Sequence, residues 1–366
     1  MPVPSAAAPG AARRIAVVLF NLGGPDRPEA VRPFLFNLFA DPSIIRIPNP
    51  FRVLLARFIA ARRAKAAQAI YAELGGRSPL LENTQAQAAA LEAALNDGAT
   101  EREARVFIAM RYWHPMSAET AARVRDYAPD LVVLLPLYPQ FSTTTTASSL
   151  RIWREEAAAA GLEAPTRLVC CYPTQAGFID ASAAVIRPLY EKARAHGRPR
   201  VLFSAHGLPK KVVAAGDPYQ WQCERTAESI AAALCIDDLD WINCYQSRVG
   251  PLAWIGPSTE EEIRRAGRDG VPVLVVPIAF VSEHSETLVE IEVEYRHLAR
   301  EAGVPWFGRV PAVGTEPAFI DGLARLVGQA AAGRKPVCAQ NGGRICPDGF
   351  PGCQQQGRSA IQAGQN

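Results

Sequence analysis

Four glutamates recur at helical spacing in the segment 277–295. The segment starts as an apolar strand candidate and continues with the residue pattern of a helix. At about 100° per residue, the four carboxylates share one narrow face of that helix; they belong to Glu283, Glu286, Glu290 and Glu294. Like charges at this spacing repel each other, so such a face either is solvated or is neutralised by cations. Because the helix begins at a strand end, the pattern favours a metal-handling face.

A histidine stands in a Gly/Pro turn at the end of another strand candidate, in the segment 203–209. This residue, His206, is one of only five histidines in the chain. A lone histidine is often structural, but it can also act as a general base or as a neutral ligand for Fe(II). A reaction that removes protons and delivers a divalent cation needs both kinds of group, and a His/Glu pair supplies them.

Aromatic and basic residues follow several other strand candidates. Trp254, in the proline-rich segment 245–257, either stacks against a flat ligand or packs under its own loop. Arg111, Tyr112 and Tyr138 add a cation and two aromatic rings. An arginine in such a wall suits a ligand that carries carboxylate groups.

Short apolar runs recur along the chain, and each precedes a Gly-, Pro-, Ser- or His-containing turn and a helix-like segment. The runs are 15–20, 106–110, 131–137, 167–171, 200–204, 241–245 and 272–278. This alternation predicts an α/β fold with parallel sheets, in which ligands bind at the carboxyl ends of the strands. We expect a disordered tail at 1–12, domains at 13–171 and 172–332, and a C-terminal extension at 333–366.

Composition narrows the functional classes. A net charge of +3 is too small to predict a nucleic-acid partner. The apolar runs are too short to span a bilayer, and the first residues lack the pattern of an export signal, so a cytoplasmic location is expected. Eight cysteines in such a chain are expected to be free thiols or metal ligands rather than disulfides.

The segment 49–63 combines apolar residues at helical spacing with several arginines. Its apolar residues are Phe51, Leu54, Leu55, Phe58 and Ile59. The pattern is typical either of a core helix with a charged edge or of a lip that contacts an anionic membrane surface. The sequence leaves both alternatives open.

The chain resembles the ferrochelatase family from about residue 15 to 330. The motifs that carry the resemblance, in order, are LFNLGGP at 19–25, YPQFS at 138–142, SAHGLP at 204–209, YQSRVGP at 245–251 and EHSETL at 283–288. Their joint order and spacing make the resemblance specific.

The resemblance implies two flavodoxin-like, Rossmann-like domains with a porphyrin cleft between them. It implies insertion of Fe(II) into protoporphyrin IX, with release of two protons, as the last step of haem b synthesis. His206 and Glu286 match the paired catalytic residues, and Glu290 and Glu294 continue a route for iron or protons along a helix that is partly a π-helix in the family. Matching porphyrin positions are Leu22, Arg111, Tyr112, Tyr138, Ser247, Trp254 and Phe280.

The extension resembles the iron–sulfur extension of some family members. It contributes Cys338, Cys346 and Cys353, which are one ligand short of a [2Fe–2S] site. Thr143 occupies the position of the usual fourth cysteine, so Cys171 or its neighbour Cys170 is the expected replacement. A zinc site with three cysteines is the alternative.

Three other functions compete with this interpretation. They are metallation of coproporphyrin, cobalt insertion into a sirohydrochlorin-type macrocycle, and porphyrin or haem carriage without turnover. A lipophilic substrate also fits peripheral contact with the inner face of a membrane through 49–63. A homodimer is among the expected assemblies.

Overall fold

The computed structural model describes residues 13–98, 102–248 and 252–355. The expected tail, 1–12, lies outside these residues, as do the motif positions 249–251 and the end of the extension, 356–366. Within the described parts, no helix has the length and apolar character needed to cross a membrane.

The strands follow the apolar runs of the sequence. Their bounds are β1 Arg13–Asn21, β2 Arg102–Met110, β3 Leu131–Pro136, β4 Thr166–Val169, β5 Arg200–His206, β6 Asp240–Gln246, β7 Val273–Pro277, β8 Phe307–Arg309 and β9 Val337–Cys338. β3 and β7 are buried at every residue. Such burial is expected of parallel strands that are covered by helices on both faces.

The strands form two parallel sheets. The first has the order β2-β1-β3-β4-β9, and the second has the order β6-β5-β7-β8. In both sheets the first strand in the chain lies between the second and the third, which is the flavodoxin-like arrangement. The predicted α/β class with parallel sheets is therefore confirmed, and the seven predicted apolar runs are all strands.

Helices connect the strands. They are α1 Val31–Ala40, α2 Phe51–Ala72, α3 Leu80–Asn96, α4 Ser117–Tyr127, α5 Thr146–Ala159, α6 Ala176–Arg194, α7 Lys210–Ala214, α8 Tyr219–Leu234, α9 Thr259–Asp269, α10 Arg296–Glu301 and α11 Pro317–Ala332. A 3₁₀ turn covers Pro28–Ala30, and a π-helix covers Glu286–Tyr295. Local signals set several of these ends. For example, Ser258 and Glu261 form a capping box at the start of α9, and Gly270 ends that helix with φ +66°.

The end of the chain returns to the first sheet. α11 packs against α3 and α6 and contacts β3 and β4, and β9 then pairs with the edge of β4. The short strands β8 and β9 were not indicated by the sequence pattern, because two or three residues carry no periodicity. The division into domains at residue 172 remains a prediction.

Polar side chains join the two sheets near the carboxyl ends of their strands. Gln87 on α3 donates hydrogen bonds to the carbonyl oxygens of Val281 (2.8 Å) and Gly314 (2.9 Å). Gln140, after β3, donates to the carbonyl of Ile278 at 3.1 Å. These buried side chains keep the strand ends of both sheets facing one region.

Candidate active site

His206 and Glu286 meet at the carboxyl edge of the second sheet. His206 ends β5, and Glu286 begins the π-helix that follows the neighbouring strand β7. Nε2 of His206 lies 3.7 Å from Oε1 of Glu286, and Nε2 of His284 lies 3.5 Å from Oε2 of the same carboxylate. The Glu286 carboxylate therefore lies between two imidazoles, one of which, His284, was not among the predicted site residues.

The hydrogen bonding of His206 defines its tautomer. Nδ1 lies 2.7 Å from the carbonyl oxygen of Gly207. Because a carbonyl can only accept, Nδ1 carries a proton, and in the neutral form of the ring Nε2 keeps its lone pair on the side of Glu286. This nitrogen is thus suited to accept a proton or to contact a divalent cation.

The charge of Glu286 is set by its neighbours. Burial raises the pKa of the carboxyl, but the positive charge that His206 carries when it is protonated and the side chain of His284 outweigh burial and lower the pKa to about 2. Tyr71, at the end of α2, approaches the same carboxylate and Ser285. Burial raises the pKa of Tyr71 to about 12, so its hydroxyl remains protonated beside an ionised Glu286.

Glu290, one turn further along the π-helix, is held by hydrogen bonds to both of its oxygens. Oε1 accepts from the backbone N–H of Ser247 at 2.8 Å and from the hydroxyl of Tyr295 at 2.9 Å. Oε2 accepts from the Ser247 hydroxyl at 2.5 Å and from Gln246 at 3.2 Å. Burial and the charge of Glu286 raise the pKa of Glu290. The carboxylate therefore ties the π-helix to the end of β6.

The four glutamates do not form one uniform face. Glu283 precedes the π-helix, and Arg309 contacts its Oε1 at 2.8 Å. Glu294 is exposed. The π-helix implied by the family resemblance is present, and its wider turn keeps Glu286, Glu290 and Glu294 on one side.

Arg111 and Tyr112 meet at a buried carboxylate that the sequence analysis missed. Oδ2 of Asp41 lies 2.6 Å from Nη2 of Arg111, and it accepts from the Tyr112 hydroxyl at 2.9 Å and from the Ser148 hydroxyl at 2.6 Å. Burial raises the pKa of Asp41, but the Ser148 hydrogen bond and the Arg111 charge outweigh it and lower the pKa below the ordinary value. Arg151 lies 3.4 Å from Oδ1.

Four other predicted porphyrin residues lie near the His206–Glu286 pair or near the Asp41–Arg111 pair. Tyr138 is buried, and Leu22 is half-buried and packs on two of the apolar clusters. The ring centroid of Phe280 lies 4.4 Å from that of His284. Trp254 is half-buried and lies next to Gly207, so close that a Cβ at Gly207 would approach its ring to 3.3 Å.

The apolar side chains of α2 face outward. Phe51 is 67% exposed, Leu54 58% and Phe58 64%, whereas the buried residues of this helix are Ala56, Ala60 and Tyr71. The core-helix alternative is therefore wrong for these side chains. An exposed aromatic and aliphatic patch of this kind marks an interaction surface.

Thiols from the body and the extension gather beside β4 and β9. The sulfur atoms of Cys170 and Cys171 lie 3.4 Å apart, and the pKa of Cys171 is raised, first by its contact with Cys170 and by burial, and also by Cys346 and Cys353. Cys338 is buried in β9. Even so, nowhere in the described ranges are three or more such side chains arranged to hold a metal ion. The thiols are thus close together without forming a metal-binding arrangement.

The comparisons with known proteins show the family of the chain and its fold. The ferrochelatase family model matches residues 14–331. The chain is 57% identical over 324 residues to a ferrochelatase of Caulobacter vibrioides, covering 88% of this chain and 92% of that protein. It is 54% identical over 342 residues to one of Phenylobacterium zucineum, covering 93% and 97%. Among solved structures, SirB from Bacillus subtilis with Fe3+ shares the fold with a TM-score of 0.50 at 13% identity, covering 87% of this chain and 96% of that chain.

The fold with two parallel sheets and the family match together define a metal chelatase. More particularly, the chain belongs to the ferrochelatase family. Its reaction is the insertion of ferrous iron into protoporphyrin with release of two protons, which forms haem.

Proposed function

We propose that His206 and Glu286 perform the chemistry of metallation together. Nε2 of His206 accepts a proton from a pyrrole N–H, and the ionised Glu286 stabilises the resulting imidazolium. His206 then passes this proton on toward Glu290, whose raised pKa suits a proton acceptor, and Nε2 accepts the second pyrrole proton as Fe(II) replaces it on the pyrrole nitrogens. The observation that carries this proposal is the 3.7 Å approach of Nε2 to the Glu286 carboxylate at the strand ends.

We propose that the porphyrin lies in a cleft between the strand ends of the two sheets, next to the segment that contains α1 and α2. The contacts of two residues beside the proposed ring support this position of the porphyrin. Tyr71 of α2 reaches Ser285 and Glu286, and Tyr112 of the first sheet packs in the same apolar cluster as Tyr71. Ring distortion against such a wall would expose the pyrrole lone pairs. The porphyrin-facing residues would be Leu22, Arg111, Tyr112, Tyr138, Ser247, Trp254 and Phe280.

We propose that Glu294 and Glu290 continue the site along the π-helix as a route for iron or for protons. Glu294 is exposed, Glu290 is half-buried, and Glu286 reaches His206, so the three carboxylates lead from the surface to the catalytic pair. The raised pKa of Glu290 suits a group that takes up and passes on protons.

The experiment that tests the catalytic pair uses His206→Ala and Glu286→Ala. We expect each variant to lose metallation by at least about a hundredfold, the scale for loss of a general base, while it still binds protoporphyrin. The measurement is anaerobic incubation with Fe(II), followed by the loss of free-porphyrin fluorescence. His297→Ala is the matched control, because His297 is an exposed histidine that pairs with Glu301 on the surface.

Near-normal turnover in both variants would refute the proposal. The carrier alternative makes a different prediction for the wild type: binding without metallation. If the wild type metallates coproporphyrin but not protoporphyrin, it is a coproporphyrin ferrochelatase and acts in a different route of haem synthesis.

We propose that the protein is cytoplasmic and that it binds peripherally to the inner face of a membrane through the exposed side chains of α2. The exposure of Phe51, Leu54 and Phe58 beside Arg57, Arg62 and Arg63 supports this surface. A homodimer is proposed as the assembly.

We propose a [2Fe–2S] cluster on Cys338, Cys346, Cys353 and Cys171, with zinc as the alternative metal. The convergence of body and extension thiols supports it. When bound, the cluster would supply a cross-link within the fold. None of the four cysteines belongs to the His206–Glu286 pair, and no step proposed above uses the cluster.

A further inference from the structure

Asp41 is a buried carboxylate that the proposed reaction does not use. Its side chain is fully buried at the end of α1, where the chain turns toward α2. Oδ1 accepts from the backbone N–H of Ser43 at 2.8 Å, and Oδ2 accepts from Arg111, Tyr112 and Ser148. Asp41 thus links the start of the α2 segment to the strand end of β2 and to α5.

This arrangement controls the charge that Arg111 can offer to a ligand. Arg111 makes two hydrogen bonds on this side, one to Asp41 and one to the Ser148 hydroxyl at 2.9 Å, and only 10% of its side chain is exposed. Arg151 is more open, at 42%, and it lies between Asp41 and Glu155. One buried negative charge therefore offsets two guanidinium groups at the same end of the proposed cleft.

We propose that Asp41 is a specificity-determining residue, which favours a porphyrin with two propionates over one with four. The inference rests on the proposed placement of the porphyrin beside Arg111. Asp41 holds Arg111 and Tyr112 in their orientation, and its charge limits how many carboxylates this end of the cleft can accept. Discrimination of this kind arises because an uncompensated charge disfavours the wrong ligand.

The charges around Asp41 come from every element packed on it. They include Arg111 after β2, Arg52 of α2, which donates to the carbonyl of Ala40, and Arg151 and Glu155 on α5. Removal of the Asp41 charge makes the region more positive by one unit, and removal of the Arg151 charge makes it more negative by one unit. The two changes should therefore cancel each other in a double variant.

The experiment measures equilibrium binding of protoporphyrin and coproporphyrin by fluorescence at low salt, without iron. In Asp41→Asn we expect the preference for coproporphyrin over protoporphyrin to rise by about fivefold, as for one solvent-screened charge near a ligand carboxylate. Arg151→Gln should lower this preference by a similar factor, and the double variant should return toward the wild type. Asp126→Asn, at an exposed carboxylate paired with Arg125, is the control and should leave the preference unchanged.

A merely structural role for Asp41 would weaken both ligands equally. A preference in Asp41→Asn within about twofold of the wild type would overturn the proposal, since one charge near the ligand should exceed that change. If Asp41→Asn does not fold, Arg151→Gln tests the proposal, because this variant changes a partly exposed side chain. An unchanged preference for coproporphyrin over protoporphyrin in Arg151→Gln would also overturn the proposal. Failure of the catalytic proposal is separate, because it appears as wild-type-like metallation in His206→Ala.

Discussion

Glu286 and Glu290 lie one turn apart on the π-helix, yet their pKa values shift in opposite directions. Two imidazoles flank Glu286 and outweigh its burial, whereas Glu290 is raised by burial and by the charge of Glu286 itself. Hydrogen bonds from Ser247 and Tyr295 only partly oppose that rise. Within one element, the tertiary partners therefore decide which carboxyl remains ionised and which takes a proton.

We expect Glu290 to protonate at a higher pH than Glu286 during acid titration. The folded pKa of Glu286 is depressed to about 2, so its stabilising contribution is present above the ordinary glutamate value and is lost as the pH falls toward about 2. In Glu286→Gln the pKa of Glu290 should fall, because the neighbouring negative charge is removed. Difference infrared spectra of protein with isotope-labelled glutamate would measure both carboxyl bands.

Glu294→Gln serves as the control for that titration, because Glu294 is exposed. Simultaneous protonation of both carboxyls, or an unchanged Glu290 in Glu286→Gln, would contradict the electrostatic coupling.

The sequence indicated His206 because it stands at the end of a strand, where parallel sheets place their ligands, and Glu286 because it belongs to the glutamate series after the buried strand β7. The family resemblance then paired the two residues. It did not identify Asp41, Tyr71 or His284. Asp41 binds Arg111 and Ser148, which are far away in the sequence. Tyr71 lies on α2, which connects two strands of the first sheet, yet it contacts Ser285 after a strand of the second sheet. No local pattern encodes such contacts, since they exist only after the two sheets have packed.

At the scale of elements, α2 shows most clearly what a periodic pattern leaves open. The spacing of Phe51, Leu54 and Phe58 predicts a helix, and the helix is present. The same spacing suits a core or a surface, and only the packing partners distinguish them. Here the small residue Ala60 packs in one apolar cluster with Phe34 and Leu35 of α1, whereas the large apolar side chains of α2 remain exposed.

We expect α2 to bind anionic vesicles. The triple variant Phe51→Ser, Leu54→Ser and Phe58→Ser should reduce partitioning into phosphatidylglycerol-containing vesicles by about tenfold or more, because it removes most of the apolar area that would enter the lipid. Co-sedimentation at low and high salt would measure this, and added salt should weaken the arginine contribution.

Val293→Ser is the matched control for vesicle binding, because Val293 is also an exposed apolar residue, 48% exposed, but lies on the π-helix. Equal vesicle binding by the wild type and the triple variant would exclude α2 as the membrane surface.

At the scale of the whole molecule, the extension contacts both halves of the fold. β9 pairs with β4 in the first sheet, while Gly352 donates a backbone hydrogen bond to the carbonyl of Gly216 at 3.0 Å. The ring centroids of Phe350 and Trp221 lie 6.0 Å apart, and Gln222 contacts the sulfur of Cys346 at 3.1 Å. The cysteine region therefore lies between the first sheet and α8, rather than at the end of a separate tail.

We expect the anaerobically purified protein to contain iron and acid-labile sulfide, with visible absorption typical of a [2Fe–2S] cluster. Cys338→Ser, Cys346→Ser, Cys353→Ser and Cys171→Ser should each lose this absorption and lower the melting temperature, because the cross-link between the extension and the body is lost. Cys235→Ser is the control, since Cys235 is exposed at the end of α8.

If the purified protein contains stoichiometric zinc and no acid-labile sulfide, the site binds zinc rather than a [2Fe–2S] cluster. If the absorption is lost in Cys170→Ser but not in Cys171→Ser, the fourth ligand is Cys170 rather than Cys171.

The first sheet is assembled from segments that lie before and after the second sheet in the sequence. Its interior strand β1 precedes all strands of the second sheet, whereas its edge strand β9 and the covering helix α11 follow all of them. During synthesis the amino-terminal half therefore emerges from the ribosome without its final partners. Although domains generally fold in the order of their synthesis, this sheet can reach its complete form only after the whole second sheet and β9 have been translated.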